Sequence, residues 1–193
     1  GAPDAELWDQ GFETMVRHWQ AFRQYRLQVG LVRTEYRPID VRVFWGATGT
    51  GKTRRALWEA ERAGERTPYI VDCPDRKGGP RWFDGYDGTR DLVLDDYGGE
   101  YGANWFKRFL DGYMMLLPVK GGYVPRGAAR IWITSNHSPE DWYPELPAVD
   151  IQAIRRRLTT VIHFQTTWTP EEEAHREEPS DAQELRWTSD EDA

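Results

Sequence analysis

The sequence predicts an α/β fold, a parallel sheet of about five short strands flanked by helices and built around a phosphate-binding loop. Three observations predict it. Residues Gly46-Ala47-Thr48-Gly49-Thr50-Gly51-Lys52-Thr53 read G-x-x-x-x-G-K-T between a strand-like and a helix-like run. Apolar runs of four or five residues then alternate with helix-length stretches, the pattern of strands buried on both faces. One such run, Leu92-Val93-Leu94, ends in the acid pair Asp95-Asp96.

In chain order, residues 5–29 carry Trp8, Phe12, Met15, Val16, Trp19 and Phe22 at steps of three and four, an amphipathic helix. Gly30 can close it, and Pro38 makes 31–40 an extended connector. Val41–Trp45 is the first strand, and Lys52–Arg62 the helix after the loop. Tyr69–Cys73 and Leu92–Asp95 are the second and third strands, and Ala103–Tyr113 is a helix. Leu116–Val119 and Tyr123–Val124 flank Gly121-Gly122, a hairpin signature. Ile131–Thr134 and Thr160–Phe164 are the remaining strands, with a helix over Val149–Leu158 between them. This gives a helical element and linker at 1–40, a core at 41–165 and an acidic tail at 166–193.

Composition narrows the function classes. The chain has 193 residues and a formal charge of −7. From Glu171 onward there are ten acidic and two basic side chains, so the first 170 residues hold 22 acids and 23 bases, a balance of +1. The tail therefore reads as solvated and disordered, and any nucleic-acid site must be a local basic feature. No apolar run approaches membrane-spanning length, no secretory signal is visible, and the single cysteine, Cys73, excludes an internal disulfide and reads as a small buried residue.

The chemistry-bearing residues fall into five groups. In the loop, the glycines let backbone N–H groups close around phosphate oxygens, helped by the helix N-terminus. Lys52 would reach the β- and γ-phosphates of ATP, and the Thr53 hydroxyl would ligate Mg²⁺. Asp95 would hold the same Mg²⁺ through water, while Asp96 points differently and orients the attacking water. Asn136, at the tip of the Ile131 strand, can both donate and accept, so it suits a γ-phosphate sensor or, equally, a turn. Arg155-Arg156-Arg157 can supply an arginine finger to a neighbouring subunit or form a basic helix surface. Lys120, beside Gly121 at the hairpin tip, suits a nucleic-acid phosphate or a plain surface turn.

In this order, the loop, acid pair, Lys-Gly-Gly hairpin, Asn strand and Arg run resemble superfamily 3 helicases. Closer still, Arg81-Trp82-Phe83-Asp84-Gly85-Tyr86, Asp95-Asp96-Tyr97, Val119 through Pro125, and Ile133-Thr134-Ser135-Asn136 with Ser138-Pro139 and Trp142-Tyr143 resemble the replication initiators (Rep) of circovirus-like viruses. The resemblance covers roughly residues 12–165. It implies an AAA+-type ATPase that assembles as a homo-oligomeric ring, commonly a hexamer, around single-stranded DNA in the host nucleus. It further implies Lys120 in the central channel, Arg156 and Arg157 as the paired arginines, and residues 5–29 as an oligomerising collar. The family's nuclease part needs a His-x-His metal pair, which His18, His137, His163 and His175 do not form. Nicking is therefore not expected of this chain, which reads as an excised helicase part. Two other classes share the loop: a small-molecule kinase, and a DNA-binding scaffold that uses nucleotide only to assemble. The hairpin and Asn strand are unexpected in a kinase, and the acid pair argues against a scaffold.

Overall fold

A computed structural model describes residues 14, 17–19, 21, 35–64, 67–71, 73, 82–86, 88–170 and 184–185. The chain divides into two compact units, Gly1–Glu35 and Tyr36–Ala193. In the first, Thr14, Arg17, Trp19 and Ala21 have helical backbone, and the His18 N–H donates to the Thr14 carbonyl at 3.0 Å. The rest of the expected helix at 5–29 lies outside the described residues, as does most of the acidic tail.

The second unit is α/β. Its strands are β1 (Asp40–Gly46), β2 (Tyr69–Val71), β3 (Asp91–Leu94), β4 (Leu116–Val119), β5 (Gly122–Pro125), β6 (Arg130–Ser135), β7 (Thr160–Phe164) and β8 (Glu184–Leu185). The helices are α1 (Lys52–Ala63), α2 (Ala103–Phe109) and α3 (Ala148–Arg155). The main sheet has the order β2-β3-β6-β1-β7-β8. The first five strands are parallel, as expected, and β8 adds an antiparallel edge through Val161↔Leu185 and Ile162↔Glu184. β4 and β5 pair antiparallel as a separate hairpin.

Alternation along β1 explains the two layers. Val41 and Val43 face one core with Leu92, Leu94, Ile131 and Ile133, while Phe44 faces the other with Val93, Trp132 and Phe164. α1 covers the Phe44 face with Ala56 and Ala60. The opposite face is thick with aromatics: Phe83, Tyr97, Tyr101, Phe106, Phe109 and Trp142 are all buried. Cys73 is half-buried against that core.

α2 is shorter than its apolar pattern suggests, ending at Phe109 and not Tyr113. Arg126, buried after β5, is the reason. Its guanidinium donates to the carbonyls of Arg108 (3.2 Å), Phe109, Asp111 and Tyr113 (2.8 Å), which diverts them from helical pairing and places a cation at the negative helix end.

Candidate functional site

β1 ends at Gly46 and α1 starts at Lys52, so residues 46–51 form a loop at the carboxyl edge of the sheet. Gly51 adopts φ +84° before α1, the helix start has no side-chain cap, and no acid sits in its first turn. Its orphan N–H groups and positive dipole end suit an anion. Ala47, Thr48 and Gly49 are exposed at the loop's crown. The three loop glycines do different work. A Cβ at Gly46 would lie 2.3 Å from the Phe164 carbonyl oxygen of β7, and one at Gly51 would lie 2.7 Å from the Trp168 carbonyl oxygen. Gly49 (φ +78°) faces open space.

The order of strands gathers the polar residues. β6 lies between β1 and β3, so its tip residue Asn136 falls between the loop and the acid pair. Lys52, only 7% exposed, donates from Nζ to the carbonyls of Gly46 (3.0 Å) and Ala47 (2.7 Å) and to Asn136 Oδ1 (3.1 Å). Asn136 Nδ2 donates in turn to Asp96 Oδ1 at 2.7 Å. On the other branch, the hydroxyls of Thr53 and Thr134 both donate to Asp95 Oδ1 at 2.7 Å. Burial lowers the Lys52 ammonium below its ordinary pKa of 10.5, and the charges of Asp96 and Asp95 oppose that effect.

Asp96 has φ +53°, a left-handed conformation that a short polar side chain tolerates. That turn separates the two carboxylates, sending Asp95 to Thr53 and Asp96 to Asn136. Thr134 fixes it, since its hydroxyl accepts from the Asp96 N–H (2.8 Å) and its carbonyl accepts from the Tyr97 N–H (2.8 Å). Beneath, Tyr97 is stacked on Phe106 at 4.6 Å and hydrogen-bonded to the Tyr143 hydroxyl at 2.5 Å. Burial raises the Tyr97 hydroxyl well above the ordinary tyrosine range, so it stays neutral.

The oxygens of Thr53 and Asp95 are hard donors of the kind Mg²⁺ takes, while the buried Thr134 hydroxyl is already engaged with Asp95 and the Asp96 N–H. Among the described residues no group of three His, Cys, Asp or Glu side chains gathers. A cation here would therefore draw further oxygens from phosphate and water, as Mg²⁺ commonly does.

The ion pairs of Lys120 and of the arginine run are made to other acids, not to Asp95 or Asp96. Lys120 is at the hairpin tip, with Gly121 at φ +84°. Arg155 pairs with Glu140 at 3.3 Å, and Arg157 pairs with Asp111 at 2.7 Å and donates to the Ala153 carbonyl. Arg156 is exposed, and while its backbone N–H donates to the Gln152 carbonyl at 3.1 Å, its side chain makes no hydrogen bond or ion pair with the described residues. Sequence reasoning gave no role to Thr134 or Trp168. Thr134 had a usable signal, a polar residue facing a neighbouring strand that ends in two acids. Trp168, beyond the core boundary expected at 165, is buried, donates its backbone N–H to the Thr50 carbonyl (3.0 Å) and meets Trp58 of α1 edge-on at 5.6 Å.

Known proteins place this geometry in context. No family model matches the chain. It is 37% identical over 149 residues to the replication-associated protein of Beak and feather disease virus, covering 77% of this chain and 47% of the relative. The replication-associated proteins of Porcine circovirus 2 and Porcine circovirus 1 are each 31% identical, over 78% and 79% of this chain and 46% of each relative. Its homologues are circovirus replication-associated proteins. The chain spans just under half the length of these relatives. No helix of its described residues is long and apolar enough to cross a membrane.

Proposed function

We propose that this chain is the ATP-hydrolysing motor part of a viral replication initiator, a superfamily 3 helicase of AAA+ type. Its relatives are named replication-associated proteins, which supports a role in initiating DNA replication. The observation that carries the reading is the hydrogen-bonded path Lys52–Asn136–Asp96 beside Thr53–Asp95–Thr134. It joins the ends of three adjacent strands around one uncapped helix N-terminus. That arrangement has a donor for the β- and γ-phosphates of ATP, an oxygen set for Mg²⁺, and an acid–amide pair that can hold a water.

In this reading the N–H groups of residues 48–53 cradle the phosphates and Lys52 donates to their outer oxygens. Thr53 and Asp95 would hold Mg²⁺, which when bound offsets charge on the transferred phosphoryl group. Asp96 accepts a hydrogen bond from the attacking water and Asn136 fixes its direction. The water oxygen bonds to the γ-phosphorus as the bond to the β–γ bridging oxygen breaks, releasing ADP and phosphate.

Arg156 is the arginine of the run best suited to act in trans, because Arg155 and Arg157 are already engaged within the chain. A finger supplied by a neighbour requires a second copy of the chain, and a homo-oligomeric ring, a hexamer around single-stranded DNA in the host nucleus, is the proposed assembly. Lys120, with Gly121 allowing the tight tip, would contact a DNA phosphate. The test is phosphate release by the pure chain, with and without single-stranded DNA, beside Lys52→Ala. Multiple turnover lost in that variant is expected. Turnover retained by it, or demand for a small-molecule acceptor, would overturn the reading.

A further inference from the structure

We infer that Asp84 is an internal stand-in for a nucleic-acid phosphate, clasping the hairpin tip and competing with single-stranded DNA for Lys120. The inference rests on the proposed role of Lys120 and adds a positioning residue to it. Asp84 Oδ1 accepts from the Lys120 backbone N–H at 2.7 Å, while Oδ2 lies 3.4 Å from the Lys120 ammonium. One carboxylate thus bridges both donors of the tip residue. Two oxygens of a DNA phosphate could engage the same pair of donors.

The surrounding segment holds the acid in place. Phe83 is buried, and its N–H donates to the Pro118 carbonyl of β4 at 2.9 Å. The Asp84 carbonyl accepts from the Tyr69 hydroxyl at 3.0 Å. Gly85 then turns the chain at φ +82°, so that Tyr86 is buried and its hydroxyl donates to the Thr89 carbonyl (2.8 Å) and accepts from the Gly127 N–H (2.8 Å). Phe83 and Tyr86 therefore pin an Asp-Gly turn from both sides, against the root and flank of the hairpin. This gives the Trp82-Phe83-Asp84-Gly85-Tyr86 segment a task, namely to present one carboxylate to one lysine.

Strength decides what the clasp can do. The side chains of Lys120 and Asp84 are 79% and 40% exposed, so water and salt weaken their attraction. The hydrogen bond from the Lys120 backbone N–H to Asp84 orients the tip, while the ammonium remains exchangeable. A phosphate that displaces the carboxylate gains Lys120 but leaves Asp84 unneutralised. Engagement of DNA is then weaker, and less dependent on salt, than a free lysine would give.

The test measures binding of a labelled oligothymidylate to the chain with magnesium and a non-hydrolysable ATP analogue, across a salt series. Asp84→Asn keeps an acceptor for the tip amide and removes the charge. It is expected to tighten binding about two- to fivefold, the range of an exposed ion pair. The slope of log affinity against log salt should steepen by up to about 0.7. In a Lys120→Ala background the same substitution should do nothing. Unchanged affinity and slope, or an equal gain without Lys120, would overturn the proposal, the latter reducing Asp84 to a general charge effect. Asp84→Ala, which also removes the amide acceptor, should gain less than Asp84→Asn, and an equal gain would remove the orienting role. If Lys120→Ala alone leaves binding intact, the underlying reading of the hairpin fails instead.

Discussion

Replacing the three loop glycines one at a time by alanine separates fold from function. At Gly49 a Cβ meets nothing within 4 Å, so the cost is conformational, from φ +78°. A left-handed alanine costs about 1–2 kcal/mol, and for a chain of this size each kcal/mol lowers the melting temperature by about 2–4 °C. Gly49→Ala should therefore melt about 2–8 °C below the parent. At Gly46 the new Cβ would stand 2.3 Å from the Phe164 carbonyl oxygen, in the register position Gly46↔Phe164 of the β1–β7 ladder. That oxygen belongs to a strand backbone and cannot move aside without opening the ladder. The penalty should exceed about 3 kcal/mol, a drop of more than roughly 6 °C, or leave the protein insoluble. Gly51→Ala combines φ +84° with a 2.7 Å approach to the Trp168 carbonyl and should fall between them. Scanning calorimetry without nucleotide reads all three. Equal melting temperatures for Gly46→Ala and Gly49→Ala would refute the assignment of Gly46 to strand packing, as would a parent-like Gly46→Ala.

Lys52→Met removes a buried charge along with its hydrogen bonds, so its nucleotide-free melting temperature should stay within about 4 °C of the parent. The stabilisation by Mg-ATP, about 2.7 kcal/mol at a hundred times Kd, should largely vanish in a thermal-shift assay. Because burial lowers the Lys52 pKa, the unfolded chain binds that proton more tightly than the fold does. The parent should therefore gain stability relative to Lys52→Met as pH rises through the folded pKa towards 10.5, and denaturant melts should show that sign. Arg157→Ala should destabilise by about 1 kcal/mol through loss of Asp111, whereas Arg156→Ala should leave stability within about 0.5 kcal/mol and lower kcat about a thousandfold. The reverse pattern in melting and turnover assays would move the finger to Arg157. Trp168→Ala should cost about 3–5 kcal/mol, being 4% exposed in the cluster of Phe44, Ala56 and Phe164. A melting temperature within about 2 °C of the parent would show that the segment after β7 does not brace the loop.

What could be seen in the sequence was local. β1, the glycine-rich loop and α1 are contiguous, so an apolar strand run, the loop motif and a helix-length stretch follow one another directly. Strand order was not visible, because β6 inserts between β1 and β3 through pairings such as Val43↔Ile133 and Leu94↔Ile133. That insertion is what brings Asn136 to both Lys52 and Asp96, so five candidate residues were identifiable while their wiring was not. The same applies to the arginine run, since three identical side chains differ only in tertiary partners, Glu140 for Arg155 and Asp111 for Arg157. Trp168 was concealed by its neighbours, whose acidic composition suggested a tail beginning just before it. β8 lies in that same stretch, where composition argued against any strand.

Asp111 links two parts of the molecule that the motifs treat separately. Its carboxylate holds Arg157 at 2.7 Å, in the turn that also carries Arg156. Its carbonyl accepts from Arg126, which follows β5 and so roots the hairpin that bears Lys120. The segment after α2 is thus tied on one side to the arginine turn and on the other to the hairpin base. Both ties are charge-assisted, and the Arg126 side is buried, so a shift of the arginine turn is resisted by the hairpin root and transmitted to it. β6 supplies a second route, since it starts at Arg130, four residues after Arg126, and ends beside Asn136. If the chain is the motor proposed above, its nucleotide site and its strand-holding element must move together, and these two connections would serve that coupling. In that proposal Arg157, held by Asp111, would act as a strut between these elements and leave the Arg156 side chain, which has no partner among the described residues, as the candidate finger.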